Sequence, residues 1–411
     1  MQSKDMHKDM AQGDGLFMAK DINVDVVIAG TGVAGLFTAL HLPADKRVLM
    51  ICKEDMESCD SMLAQGGICV LKDAEDYDAF FEDTMRAGHY ENRKESVDIM
   101  IRSSRNVIDQ LLELGVRFNK NEDGSLMYTR EGAHSKPRIC FHEDVTGKEI
   151  TETLQRRVQE LPNVEIMEYT VMEDILLQDG CCAGLVARDS SGDTLHIHAG
   201  DTVLATGGIG GLYEHSTNFP SLTGDALEVA KEHDVALEHL DYVQIHPTSL
   251  YTEHEGRSFL ISESARGEGA ILLNGKGERF TDELQPRDVV SKAIQAEMDK
   301  EGSRHVWLSF ENVPQDVILE HFPNIYRTCL EEGYDITKEP IPVVPAQHYF
   351  MGGIHVDSDS RTTMEHLYAV GETSCNGVHG RNRLASNSLL ESLVFAQRAA
   401  TKIASEGKDR R

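Results

Sequence analysis

The sequence predicts an α/β protein in which a Rossmann-like, dinucleotide-binding domain carries an inserted α+β capping domain. An apolar strand runs into a glycine-rich turn and a helix at residues 25–42, and a second apolar strand runs into glycines at residues 203–213. A strand–loop–helix pattern returns at residues 367–391, after a block of different character. We therefore predict a discontinuous first domain at 21–237 and 351–411, a capping domain at 238–350, and a loose polar extension at 1–20.

The first glycine-rich turn has the pattern GxGxxG between an apolar strand and an apolar-periodic helix. Gly30 makes the turn, Gly32 lets the backbone approach a pyrophosphate, and Gly35 lets the helix pack closely on the strand. Val33 and Ala34 begin the helix, where free N–H groups favour an anion. This setting predicts a dinucleotide site.

The next two segments refine the cofactor prediction. The strand at 47–52 is followed by Lys53 rather than by the acid that usually binds a nicotinamide ribose, which weakens NAD without excluding FAD. The loop at 60–68 contains Ser61 and the run AQGG, whose backbone N–H groups can lie along a planar ring system. A plain turn is the alternative for this loop.

Composition excludes several classes of function. The chain has 411 residues and a net charge of −29, which argues against nucleic acids and anionic membrane surfaces as partners. No apolar run approaches the roughly 18 residues needed to span a bilayer. The eight cysteines form no CxxC pair and no group with zinc or iron–sulfur spacing, so we expect no metal site and a reducing, cytoplasmic location.

Several polar residues stand in contexts typical of a binding site. Glu131 lies in a polar stretch, His246 and His348 lie in the runs HPT and HYFMGG, and Arg287 lies at a predicted helix start. Arg383 lies in a Gly/Asn/Ser-rich loop, where a guanidinium can grip a carboxylate bidentately. Taken singly, Glu131 is better explained as a solvated loop acid and each histidine as a satisfied loop or core residue, while a solvated arginine explains Arg383 equally well.

Together these segments make the sequence similar to the succinate dehydrogenase/fumarate reductase flavoprotein family, over about residues 24–397. The similarity lies in the ordered blocks GTGVAG, AQGGI, REGAHS, ATGGIGG, QIHPT, LISESARGEGAILLN, PRDVVSKAI, HYFMGGI and AVGETSCNGVHGRNRLASNSLLE. The resemblance implies FAD as the cofactor. Besides the five residues of the glycine turn, the residues it assigns to FAD are Lys53, Ser61, Ala64, Gln65, Gly66, Gly67, Thr206, Gly207, Asp225, Glu372, Arg383, Ser388 and Leu389.

The resemblance also implies how FAD is attached. Complex-type members of the family link FAD covalently to a histidine five residues before the AQGG glutamine. Asp60 occupies that position here and has no nucleophilic nitrogen. We therefore expect FAD to be bound non-covalently.

A dicarboxylate site follows from the same resemblance. It places one substrate carboxylate on His246 and Ser262 and the other on His348 and Arg383, with Gln244 lining the pocket. Ser262 replaces the more usual Thr and keeps the hydroxyl donor. Charge-assisted bonds from Arg and His suit carboxylates.

The resemblance gives Arg287 the role of proton-transferring arginine, and Glu131 selects between branches of the family. Succinate and fumarate enzymes lack a carboxylate at the position of Glu131, whereas the aspartate-oxidising branch has REGGHS-like sequence there. A carboxylate is the natural partner of a substrate ammonium group. Ala133 in place of the usual Gly is a departure that we expect to shift the loop.

The implied function is FAD-dependent oxidation of L-aspartate to iminoaspartate, with dioxygen or fumarate as electron acceptor, at the start of quinolinate and NAD biosynthesis. A transient contact with quinolinate synthase is expected. One alternative is a fumarate reductase or succinate dehydrogenase flavoprotein with an iron–sulfur partner. Another is a non-catalytic flavin-binding protein. Family members usually continue into a C-terminal helical domain, so a chain ending at Arg411 is expected to be either a short form or a truncation.

Overall fold

A mixed sheet of seven strands forms the centre of the first domain in the computed structural model, which describes residues 19–253 and 256–409. Its order is β5-β2-β1-β8-β7-β6, and β15 also pairs with β8. The strands of the whole structure are β1 (Ala19–Ala29), β2 (Val48–Ile51), β3 (Ile68–Cys69), β4 (Ile139–Cys140), β5 (Val164–Met167), β6 (Val171–Gln178), β7 (Cys181–Arg188), β8 (Thr194–Leu204), β9 (Leu237–Glu238), β10 (Val243–Leu250), β11 (Ile271–Leu273), β12 (Val306–Ser309), β13 (Ile341–Phe350), β14 (Gly353–His355), β15 (Leu367–Ala369) and β16 (Ser374–Cys375).

The part of this sheet that faces the predicted dinucleotide site is parallel. Strands β5, β2, β1, β8 and β15 run in one direction, while β7 pairs antiparallel with β8 and β6 pairs antiparallel with β7. In β1, Val26 and Ile28 enter one core while Val27 and Ala29 enter another, because side chains alternate between the faces of a sheet. Both faces of β1 are therefore covered, as is usual in doubly wound folds.

Helices cover the sheet and build the capping domain. They are α1 (Val33–His41), α2 (Tyr77–Ala87), α3 (Lys94–Leu114), α4 (Thr146–Gln159), α5 (Asp225–Glu232), α6 (Glu263–Gly267), α7 (Arg287–Glu301), α8 (Gln315–His321), α9 (Pro323–Glu331) and α10 (Ser388–Asp409). The predicted split between α2 and α3 and the predicted helix starts at Thr146 and Arg287 are confirmed.

The capping domain has its own sheet and its own core. Strands β10-β13-β12-β11 form an antiparallel sheet, and a separate apolar cluster extends from Leu250 to Val343. Neither of the two large clusters of the first domain includes a buried residue from 238–350. The domain boundaries themselves stay a prediction.

Residues 1–18 of the predicted extension lie outside the described residues, whereas Ala19 and Lys20 are the first residues of β1. Within the described residues, no helix is long and apolar enough to cross a membrane.

Candidate active site

A large cavity opens where the carboxyl ends of β1 and β8 meet the capping domain. Its empty space, counted out to open solvent, is about 1720 Å³. Every residue that the sequence analysis assigns to FAD lines this cavity except Gly35. The cavity therefore lies where the sequence analysis predicts a dinucleotide.

Gly30 and Gly35 are required by close backbone approaches. Gly30 has φ +117°, and a Cβ there would lie 2.1 Å from the Ala205 carbonyl oxygen. A Cβ at Gly35 would lie 2.1 Å from the Gly30 oxygen, so Gly35 packs beneath the turn rather than facing the cavity. Gly32 is different, because the nearest atom to its Cβ position is Ser61 Oγ at 3.2 Å, which leaves room on the cavity side. The turn can thus admit a pyrophosphate.

Lys53 pairs with Asp225 in the cavity wall. Lys53 Nζ donates to Asp225 Oδ2 at 2.8 Å and to Thr223 Oγ1 at 2.8 Å. The acid that is missing after β2 is therefore present in the same wall, at the start of α5. This arrangement explains the departure from the nicotinamide pattern that the sequence shows.

Three polar groups of the cavity wall fit a ligand. Asp60 Oδ2 and Gln65 Oε1 are buried without a hydrogen-bond partner in the described residues. Burial raises the pKa of Asp60 to about 7 and, together with the charge of Asp60, that of Glu372 to about 8. Glu372 Oε1 accepts a hydrogen bond from the Phe350 N–H at 2.9 Å. Buried polar atoms are normally satisfied, so unsatisfied ones in a cavity wall indicate a bound group.

At the capping-domain end, His348, Arg287 and Arg383 line the cavity, whereas His246 does not line it and contacts the His348 ring; we call these four residues the cationic wall. Arg383 donates from Nη1 to Ser388 Oγ at 2.9 Å, and its guanidinium lies 4.5 Å from the Tyr349 ring centre. Its Nε is buried and unpartnered among the described residues. Burial and the neighbouring Arg287 lower the Arg383 pKa to about 10. The wall therefore offers donors and positive charge to an anion.

The two histidines of this wall touch each other. Their ring centres are 5.1 Å apart, edge to face. His246 Nδ1 accepts from the Thr248 N–H at 3.2 Å, which puts the ring proton on Nε2, a buried atom that is unpartnered among the described residues. His348 Nδ1 lies 2.7 Å from Thr217 Oγ1. Burial and nearby arginines hold the pKa of both rings well below the usual value, so both are neutral donors near pH 7.

Arg287 has two protein partners in the wall. Its Nε donates to Glu263 Oε2 at 2.5 Å, and its Nη1 donates to Gln244 Oε1 at 2.9 Å. Glu263 is also paired with Arg266 at 3.5 Å. Burial raises the Glu263 pKa, but Arg287 and Arg266 outweigh it and the net shift is downward. Arg287 thus lies at the cavity end of a buried chain of alternating charges.

Gln244 differs from the role expected of it. Its Nε2 donates to Asn382 Oδ1 and to the Arg383 carbonyl, both at 2.8 Å, while its Oε1 accepts from Arg287. Both polar atoms of the amide are therefore engaged by protein, and Gln244 does not line the cavity. Gln244 therefore bonds to Arg287 and to the Arg383 loop rather than to a substrate, because both of its amide protons are already donated to protein acceptors.

In the same cavity, Glu131 is held by Ser264 and Ser386, and we call these three residues the carboxylate wall. Ser264 Oγ donates to Glu131 Oε1 at 3.0 Å, and Ser386 Oγ donates to Oε2 at 2.5 Å. The Gly66 backbone lies directly against the Glu131 carboxylate, so that a Cβ at Gly66 would lie 2.1 Å from Glu131 Oε1. Burial, followed by the charge of Glu263, raises the Glu131 pKa. Glu131 thus lines the cavity as a buried carboxylate whose hydrogen bonds come from hydroxyls and not from a cation of the described residues.

A buried arginine holds the loop that carries Glu131. Arg138 is fully buried, binds Asp76 through Nε at 2.9 Å and Asp83 through Nη1 at 2.8 Å, and also donates to His134 Nδ1. His134 must then donate through Nε2 to the Ala385 carbonyl at 3.0 Å, and its pKa is lowered to about 4 by burial. Ala133 has φ +65°, a conformation that favours glycine.

Sequence reasoning misses several members of the site. Glu263 and Arg266 are three residues apart within one block of the resemblance, a spacing that places them on one helix face, yet the sequence assigns them no role. Ser386 enters only as part of ASNSLLE, within the last of those blocks. The contact between Ser386 and Glu131 shows that two separate blocks of the resemblance meet in one hydrogen bond.

Comparison with known proteins identifies the class. A family model described as an FAD binding domain matches residues 25–389. A variant of the E. coli quinol fumarate reductase superposes with a TM-score of 0.88 at 31% identity, over 95% of this chain and 72% of that one. The fold and the cavity define an FAD-dependent flavoprotein of the succinate dehydrogenase/fumarate reductase type.

Sequence comparison narrows the class to a family. The L-aspartate oxidase of Clostridium perfringens is 50% identical over 380 residues, which are 92% of this chain and 86% of the relative. That of Neisseria meningitidis is 42% identical over 390 residues, 92% of this chain and 78% of the relative. The chain belongs to the L-aspartate oxidase family.

Proposed function

We propose that the protein oxidises L-aspartate to iminoaspartate, with fumarate or dioxygen as the final electron acceptor. The observation that carries the proposal is that both walls belong to one cavity. The cationic wall suits two carboxylates, and Glu131 lines the same cavity, bonded to two serine hydroxyls. A substrate ammonium group supplies the positive charge that this buried carboxylate needs.

Bound FAD supplies the hydride acceptor for the substrate Cα–H. His246, Ser262, His348 and Arg383 hold the two carboxylates by charge-assisted hydrogen bonds, which fixes the orientation of that C–H bond. Glu131 binds the ammonium group and removes one proton from nitrogen, because the imine forms only when the nitrogen lone pair is free. Its raised pKa suits a general base.

Arg287 is the proposed proton donor when the acceptor is fumarate. Reduction of a carbon–carbon double bond needs a proton as well as a hydride, and Arg287 is the cationic residue linked through Glu263 to Arg266. Burial shields the three side chains from bulk water, and solvent resupplies the donated proton through the Arg266 end of the chain. Oxidation of an amine requires no proton from Arg287.

Anaerobic reduction of the bound flavin tests the function. L-aspartate and, separately, succinate are mixed with the enzyme, and loss of flavin absorbance is followed. We expect rapid bleaching by L-aspartate and a loss of about 100-fold or more in Glu131→Gln, because general base catalysis contributes roughly 10²–10⁴-fold. The matched control is Glu173→Gln, an exposed surface acid paired with Arg188.

A second function, oxidation of succinate or reduction of fumarate, is favoured by the structural likeness to fumarate reductase and by a cationic wall that recognises carboxylates only. In that case succinate bleaches the flavin and Glu131→Gln has no effect. Bleaching by neither compound would support a flavin-binding protein without this chemistry.

Non-covalent attachment of FAD is part of the proposal. Asp60 lines the cavity at the position where an attaching histidine stands in complex-type relatives, and a carboxylate forms no stable bond there. Acid precipitation should release all of the flavin into the supernatant. Flavin that stays with the pellet would contradict it.

Iminoaspartate hydrolyses readily, so we propose that quinolinate synthase receives it through a transient contact, at the start of NAD biosynthesis. We also propose a cytoplasmic location. The support is that all eight cysteines are free thiols, several of them buried.

A further inference from the structure

A small side crevice opens beside Glu131, between the two domains. The volume open to water-sized groups is about 10 Å³, which is room for about one water molecule. Gln65, Gly66 and Ser262 line both this crevice and the large cavity. The side crevice is therefore separated from the substrate region by one layer of residues.

Oxidation of an amino acid creates a need for such an opening, on the basis of the proposed function. An L-aspartate ammonium group gives one proton to Glu131 and a hydride from Cα to the bound acceptor, which leaves a C=N bond. Glu131 is buried, so its proton must leave the protein before the next substrate binds. Fumarate reduction does not load this proton onto Glu131.

Ser264 joins Glu131 to the side crevice. Its Oγ lies 3.0 Å from Glu131 Oε1 and 3.2 Å from Ser262 Oγ, and Ser264 itself lines the crevice. A hydroxyl can accept a proton from a carboxylic acid while it passes its own proton to water. Ser264 thus contacts both Glu131 and the crevice.

The outer part of the side crevice has proton-accepting groups. Glu268 lies one helical turn after Ser264, and its backbone N–H donates to the Ser264 carbonyl at 2.8 Å, so both side chains share one face. Glu268 Oε1 lies 3.6 Å from His321 Nδ1, and their side chains are 33% and 31% exposed. These two groups can exchange protons with solvent.

We propose that the proton taken from the substrate ammonium group leaves Glu131 through Ser264 and the water of the side crevice, and reaches solvent at Glu268 and His321. Ser264 is a relay residue and does not touch the reacting atoms. The neighbouring Glu263 is a poor next acceptor, because its two buried arginine partners, Arg287 and Arg266, favour its ionised form. The exit is therefore distinct from the chain that ends at Arg287.

The test follows flavin absorbance and proton release together in a single anaerobic turnover with a pH-indicator dye. In the unmodified enzyme, L-aspartate should cause bleaching and dye response in step. In Ser264→Ala we expect the dye response to lag bleaching, and steady turnover of L-aspartate to fall by about 10-fold, a modest share of the 10²–10⁴-fold typical of positioned proton transfer. Ser264→Thr, which keeps the hydroxyl, should restore both.

Reoxidation of pre-reduced flavin by fumarate is the internal comparison, because it loads no proton onto Glu131, and Ser264→Ala should slow it much less than it slows L-aspartate oxidation. Equal slowing of both half-reactions would mean a structural role and would overturn the relay. So would an unchanged dye response, provided the unmodified enzyme is bleached by L-aspartate.

The double variant Glu268→Gln/His321→Gln gives a second test. Both residues lie at the partly exposed mouth of the side crevice, so this variant is less prone to misfold. We expect the dye response to lag bleaching in this double variant as well, and an unaltered response would count against the path. If L-aspartate fails to bleach the unmodified enzyme, the proposed function fails first and the path with it.

Discussion

The cationic wall and the carboxylate wall solve opposite electrostatic problems. In the cationic wall, Arg287 and Arg383 are buried within one site while the two histidines stay neutral, and Glu263 offsets part of the charge. In the carboxylate wall, Glu131 is held by two serine hydroxyls. Each wall is incomplete alone, because a buried charge without a partner is costly. A molecule with two carboxylates and one ammonium group completes both.

The two walls contribute differently to specificity. The cationic wall defines the class of flavoprotein, and the carboxylate wall defines the family within that class. Carboxylate recognition by Arg and His serves any small dicarboxylate. Recognition of an amine depends on Glu131 and on the loop that presents it. Breaking the first wall should therefore affect every substrate, whereas changing the second should affect L-aspartate alone.

The largest expected effect comes from Arg287→Lys. Lysine cannot bond Glu263 and Gln244 in the same fork geometry, and Glu263 is left with a weaker partner. We expect kcat/KM for fumarate to fall by about 10³-fold, since positioned proton transfer contributes roughly 10²–10⁴-fold, and kcat/KM for L-aspartate to fall less, because Arg287 gives no proton in that reaction. Steady-state assays with each substrate check this. Arg327→Lys, on the exposed face of α9, is the control and should change nothing.

Substitutions of Gln244 test whether its hydrogen bonds to Arg287 and to the Arg383 loop hold the cationic wall in place. Gln244→Leu removes the link between Arg287 and the Arg383 loop, and we expect about a 10- to 100-fold loss of kcat/KM for both substrates, because each lost buried hydrogen bond costs roughly 1–3 kcal/mol. Gln244→Glu keeps an acceptor for Arg287 but cannot donate to Asn382 Oδ1 or to the Arg383 carbonyl, so we expect a loss of similar size. Steady-state assays with L-aspartate and fumarate check both variants, and unchanged kinetics would contradict this role.

The cofactor cradle could be predicted from sequence more fully than the substrate site. Gly30, Gly32 and Gly35 act through the backbone of a single strand–turn–helix, so their spacing in the chain determines their geometry. Every other residue assigned to FAD lines the cavity, although the Lys53–Asp225 pair joins residues that are far apart in sequence.

The substrate walls depend on contacts across the chain that spacing does not show. Glu131 meets Ser264 and Ser386, which are 133 and 255 residues away. The resemblance puts Gln244 in the substrate pocket together with its neighbour His246, yet β10 has register shifts on both sides of His246 that change where its side chains point. Sequence alone marks these residues as polar and unusual, but only the tertiary contacts assign their partners.

The carboxylate wall should carry a pH-dependent cost when no substrate is bound. Burial raises the pKa of Glu131 above its ordinary value of 4.5, so the folded state prefers the protonated acid. Below pH 4.5, its pKa in the unfolded chain, this group contributes its full stabilisation to the folded state. The contribution is lost as pH rises from that value through the pKa in the folded state, at about 1.4 kcal/mol for each pH unit between the two. Glu131→Gln should therefore have a higher Tm than the unmodified holoenzyme at pH 8, with the difference shrinking toward pH 5. A constant difference would show that the serines already satisfy the charge.

The smallest effect concerns Ala133, whose φ of +65° suits glycine. Ala133→Gly relieves strain of roughly 1–2 kcal/mol but adds about 0.4–1 kcal/mol of unfolded-chain entropy, so the free energy of unfolding should rise by about 1 kcal/mol or less. Ala296→Gly, at an exposed position inside α7, has no strain to relieve and should lose about 1 kcal/mol. Denaturant unfolding of both variants gives the contrast. Equal losses would mean that Arg86, which donates to the Ala133 carbonyl at 3.1 Å, and the buried Arg138 cluster hold the loop in this conformation whatever residue stands there.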